Sequence, residues 1–180
     1  MDWVKNPTFI DSKTASNNTT LEFTSGIDST YYQYMFVFND ISAATDSVTF
    51  TMNFSTSGGA PYNLYKTSTF FRAQNDGSSN AFGYQSGNDL DNSTDYQVIS
   101  ADLGNGSDES TAGVLYLWTP SNTTFIKNWT SRFNCHHASD YSNDMFSAGY
   151  VNTTGDIDAI DFKMSSGNID SGVIKMYGIK

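Results

Sequence analysis

Cys135, His136 and His137 stand side by side, and they include the only cysteine and the only two histidines of the chain. A zinc centre needs three or four ligands converging from separate segments. Neighbouring residues of an extended segment point to opposite sides, so the trio cannot close on one ion by itself. Completion would draw on carboxylates such as Asp140 or Asp144. The trio is also the only thiol beside a base. An activated thiol needs a neighbour that lowers its pKa and a third group that orients the base, and adjacency supplies neither. The expected role is structural, with Cys135 packed as a small apolar side chain, no metal bound and no cofactor.

Carboxylates form the second set. Asp89, Asp91 and Asp95, and likewise Asp156, Asp158 and Asp161, resemble parts of calcium loops. An EF-hand needs glycine at the sixth position, where these stretches carry Thr94 and Asp161. Calcium held by irregular loops stays open as an alternative to ordinary turn-forming Asp. Of the nineteen acidic residues only Glu22 and Glu109 are Glu, and no pair is framed as a glycosidase pair would be. Nucleophile-elbow, Walker and dinucleotide fingerprints are all missing from the sequence. The expectation is a protein that is not an enzyme.

The elements that must position these residues read as strands. Aromatics make up 15% of the chain, with thirteen Phe, eleven Tyr and three Trp, while charged residues are only 16%. Rings bury large areas, so they can build a core from few aliphatics. The polar remainder is Asn, Ser, Thr, Asp and Gly, which suit strands and turns and weaken helices. Val48–Phe54 alternates strictly and is the cleanest half-buried strand. Tyr34–Phe38 and Val114–Trp118 are apolar on both faces and read as central strands. The run from Phe125 to Phe133 alternates too, which would put Phe125, Trp129 and Phe133 on one face. Trp118 and Trp129 could offer a sugar-stacking platform, although core is the commoner fate of such rings. Asp76–Asp95 is the most loop-like region, and Ala159–Met164 and Val173–Tyr177 close the chain as two strands.

About eight to ten short strands with turns between them predict an all-β protein, a single-domain jelly-roll-like antiparallel β-sandwich. Residues 1–14 are expected to form an N-terminal arm and 15–180 the domain. Net charge is −10, and the nine Lys and Arg are scattered, so no cationic patch suits nucleic acid. No apolar run approaches a membrane span, and Met1–Ile10 lacks the features of a signal peptide. A lone cysteine excludes an intrachain disulfide.

The closing stretch Ser147–Lys180 resembles the C-terminal end of virion structural proteins of marine tailed phages, of the cyanophage and pelagiphage type. Similar too are Ile27–Tyr31 leading into Tyr34–Phe38, Thr69–Ala73 followed by Ala81–Tyr84, and Ser121–Lys127. The resemblance implies a virion role and carries no catalytic or ligand motif. The expected function is a capsid decoration or cement protein on the head surface, made in the bacterial host cytoplasm. Its partners would be the major capsid protein and copies of itself, with no nucleic acid and no membrane. Trp3, Phe9 and Ile10 of the arm are the expected capsid-docking residues. The alternative is a tail-tip or tail-fibre receptor-binding module whose polar loops, Asp76–Asp95 among them, contact host surface glycans. Decoration is preferred because no coiled-coil or repetitive shaft is legible.

Overall fold

A computed structural model describes residues 6–78 and 80–180. Among them there are twelve strands and no helix. The first six are β1 (Thr8–Thr14), β2 (Leu21–Phe23), β3 (Gln33–Ala43), β4 (Val48–Ser55), β5 (Lys66–Asn75) and β6 (Asn80–Tyr84). The rest are β7 (Gln97–Leu103), β8 (Thr111–Trp118), β9 (Lys127–His137), β10 (Tyr141–Val151), β11 (Ala159–Met164) and β12 (Ile169–Ile179). All pairings are antiparallel.

The strands form one sheet in the order β1-β12-β3-β8-β9-β7-β4-β11-β2, with β10, β5 and β6 branching from β9. Strand β9 touches β7 through the single pair Leu103–His137, whereas it pairs with β10 along Tyr141–Val151. The sheet therefore has a wide wall, β1-β12-β3-β8-β9-β10-β5-β6, and a narrow wall, β7-β4-β11-β2. The two walls face one another across a core of rings. Phe38 of β3 meets Phe50 of β4 at 5.8 Å and Phe162 of β11 at 5.1 Å between ring centroids. Phe36 meets Phe162 at 5.8 Å and Phe23 of β2 at 5.5 Å. Edge-to-face geometry adds about 0.5–1.5 kcal/mol per pair beyond the area buried.

The alternation read in β4 explains this core. Val48, Phe50, Met52 and Phe54 all turn inward and are buried, as are Phe162 and Met164 of β11. Period-two geometry leaves Thr49, Thr51 and Asn53 on the other face of the narrow wall.

Three expectations change. Residues 8–14, read as part of an arm, form β1 and pair with β12. A bulge between Phe9 and Asp11 turns Lys13 inward, where its ammonium lies 5.5 Å from the Phe23 ring centroid. Within Asp76–Asp95, Asn80–Tyr84 pairs with β5 as a hairpin arm instead of remaining loop. Phe125 precedes β9 and is 67% exposed, because the Asn122 side chain accepts the amides of Thr124 and Phe125 and holds a turn there. Lys127 takes the inward position, fully buried, its ammonium bonded to the Phe125 carbonyl at 3.0 Å.

Candidate functional site

The outer face of the wide wall holds more apolar side chain than a solvated sheet face needs. Register carries one row across it, from Phe9 through Tyr177, Met35 and Tyr116 to Thr130. Phe9 is 55% exposed and meets Tyr177 edge-on at 5.7 Å. Tyr116 stacks with Trp118, two residues on along β8, at 6.1 Å. A second row runs from Phe71 through Phe146, Arg132 and Val114 to Val37. Phe71 and Phe146 stack at 4.9 Å, and the Arg132 guanidinium lies 4.8 Å over the Phe146 ring. Arg132 also pairs with Asp144 through two hydrogen bonds, at 3.1 and 2.9 Å. Apolar residues on both strand faces mark β3 and β8 as central, yet only their inner faces are covered.

The outer face of the narrow wall is the opposite: polar groups are sealed beneath loops. Asn53 is wholly buried, and its amide donates to the carbonyls of Tyr62 at 2.7 Å and Thr94 at 3.0 Å. Its oxygen accepts from the Phe54 amide at 2.9 Å and the Lys66 ammonium at 2.6 Å. Burial lowers the pKa of Lys66 to about 8. Asp161, opposite Asn53 and Glu22, is 1% exposed and accepts from Tyr96 at 2.7 Å, while its other oxygen has no hydrogen-bond partner among the described residues. Burial raises its pKa to about 6. This layer anchors the 56–65 and 85–96 loops.

The end of the β9–β10 hairpin gathers the residues with chemistry. Cys135 is buried in the core, donates its thiol to Ala101 at 3.4 Å, and has its pKa pushed up to about 12 by burial. It is neither a nucleophile nor a ligand facing solvent. His137 turns toward Asp102, with Nε2 3.6 Å from the carboxylate, stacks on Tyr141 at 3.9 Å, and accepts the Ser139 amide on Nδ1. Asp102 is held by Arg72 at 2.7 Å. Burial holds the His137 pKa below its usual value against the pull of Asp102. His136 points elsewhere, with Nδ1 3.6 Å from Glu109 Oε1. One ligand atom each from Glu109, His136 and Asp140 lie within 4.8 Å of one another.

Of the residues singled out in the sequence, Trp3 lies outside the described residues. Phe9 joins the aromatic row, while Ile10 packs against the core. A Cβ on Gly26, whose φ is +83°, would sit 2.8 Å from Ile10 Cγ2, so Gly26 both makes its turn and admits Ile10. Trp129 is core and Trp118 stands half-buried on the outer face. Several of the calcium-loop candidates bond within the fold. Asp89 accepts from Tyr84, Asp95 from Ser93 at 2.8 Å, and Asp158 from the Gly58 amide at 2.8 Å. No family model, curated protein or solved structure matches this chain.

Proposed function

We propose that this chain is a structural protein of a tailed-phage virion, a non-enzymatic decoration domain seated on the head surface. The observation that supports it best is the uncovered apolar row of the wide wall, Phe9, Tyr177, Met35, Tyr116 and Trp118, on a chain with few cations. Such a face suits a flat, repeated protein surface, where weak single contacts add through symmetry. The C-terminal run and the three shorter stretches that resemble virion proteins support the same reading. A jelly-roll-like sandwich is the finer description we favour. The chain's two ends pair as β1–β12 and β2–β11, and β12 and β11 then pair with β3 and β4, which pair in turn with β8 and β7. That nesting is what a rolled-up antiparallel ribbon produces.

Cryo-electron microscopy of particles carrying this chain tests the proposal. Density repeating with the head symmetry, contacting capsomers through the wide wall, is expected. Density only at the tail tip would replace it with a second reading, a receptor-binding module. One feature favours that reading: β3, β5 and β9 run the same way, and Tyr32, Tyr65 and Phe125 just before them are 73%, 54% and 67% exposed at one end. Rings beside Asn, Ser and Thr could stack on glycans, and binding to a host glycan panel would follow.

A further inference from the structure

We propose that Glu109, His136 and Asp140 form a binding site for a first-row divalent cation, with zinc as its natural probe. The three come from separate segments: the 104–110 loop, the end of β9 and the tip of the β9–β10 hairpin. A carboxylate–imidazole–carboxylate set suits zinc or a neighbouring transition ion and leaves a position for water. Ligands about 2.0–2.1 Å from a tetrahedral ion lie about 3.3–3.4 Å from each other. His136 Nδ1 and Glu109 Oε1 are already 3.6 Å apart, and all three ligand atoms fall within 4.8 Å. Closing the set requires the exposed Asp140 side chain to move in toward the other two.

Two features of the surroundings point the same way. The Glu109 side chain is only 10% exposed, and its carboxylate is wrapped by its own loop, accepting from the Gly106 amide. A Cβ on Gly104 would fall 2.2 Å from Glu109 Oε2, so the loop reaches the carboxylate only with glycine there. Second, neither Glu109 nor Asp140 has a Lys or Arg ion partner among the described residues; the nearby Arg72 is held by Asp102. Two converging carboxylates without a fixed cation repel, and a divalent ion relieves this. Bound there, it would clip the 104–110 loop to the hairpin tip. His137 and Cys135 face away and take no part.

The test is isothermal titration of the full chain, stripped of metal, with zinc chloride. One zinc per chain is expected, together with a rise in melting temperature. Loss of even an outer partner of a metal ligand weakens binding by about 10–100-fold, so Asp140→Asn and His136→Gln should each cost at least about 10-fold. Asp140 sits at φ +60° on the hairpin tip, where Asn is well tolerated, so that variant reports on ligation and not on folding. His137→Gln should bind as the parent does. Absence of saturable binding, binding that survives both ligand substitutions, or loss on His137→Gln alone would overturn the site.

Discussion

The two outer faces of this molecule invert the usual arrangement. On the narrow wall the polar side chains of Asn53 and Asp161 are buried beneath loops, and the Lys66 ammonium of β5 reaches Asn53 there; on the outer face of the wide wall, rings stand half-open to water. Buried polar groups are costly unless they are bonded, so the first face exists to hold its loops in one arrangement. Exposed apolar surface is costly unless something covers it, so the second face is the one on which the proposed docking rests. Polarity alone would have assigned the two roles the wrong way round. Burial and hydrogen bonding favour the reverse assignment.

The largest effect expected is at Asn53. Alanine there removes both donations to the loop carbonyls and one acceptor of a buried ammonium, a loss of about 3–5 kcal/mol. Urea unfolding showing less than about 1 kcal/mol would mean that the loops are held by something else.

Asp161 comes next, with the opposite sign. Its folded pKa of about 6 lies above the ordinary 3.8, so the native state binds the proton more tightly than the unfolded chain. Its contribution to stability is fully present below about pH 4 and is lost as pH rises through about 6. Asp161→Asn keeps an acceptor for Tyr96 and removes the buried charge. It should add about 2–3 kcal/mol at pH 7 and flatten the pH dependence between pH 4 and 7. A parallel pair of melting curves across that range, parent and variant, would contradict the burial assigned to Asp161.

On the wide wall the effects on stability shrink while those on binding grow. Tyr116→Thr with Trp118→Thr should change stability by about 1 kcal/mol or less, since cross-strand pairs contribute about 0.2–1 kcal/mol. The same double variant should lose particle binding in a co-sedimentation assay. Retained binding would move the docking surface off this face. Truncating residues 2–10 is a poorer test, because it removes Phe9 and Ile10 from β1 and bares the Tyr177–Gly178 end of β12. Smallest of all is Asp144→Asn, which releases the solvent-exposed Arg132 and should leave the melting temperature unchanged.

Much of the fold is legible in the sequence because burial on one side writes a period of two. Val48–Phe54 and Ala159–Met164 carry that signature and lie where it places them. Strand β6 is hidden because it is an edge with exposed side chains and no inner face to select apolar residues. Strand β1 is hidden because its bulge breaks the alternation. Candidate-site residues divide the same way. Asp140 is visible as a neighbour of His136 in sequence, whereas Glu109 lies in a different loop. It arrives only through the register of β8 on β9, in which Thr111 faces Cys135. Hairpin pairing of two apolar runs was the one signal that could have found it.

The nested pairing has a consequence for how the chain comes into being. Strands β1 and β2 leave the ribosome before the other ten, yet their partners are β12 and β11, which emerge after the rest. Until then Leu21 and Phe23 have no sheet to join, and β3 and β4 each lack a flanking strand. Such long-range closure makes folding slow and leaves apolar strands waiting for chaperones. It also makes completion a condition of shape. A product that stops before residue 159 loses β11 and β12 and with them the partners of both its earliest strands. Unfinished copies therefore keep β1 and β2 without partner strands and cannot close the sheet.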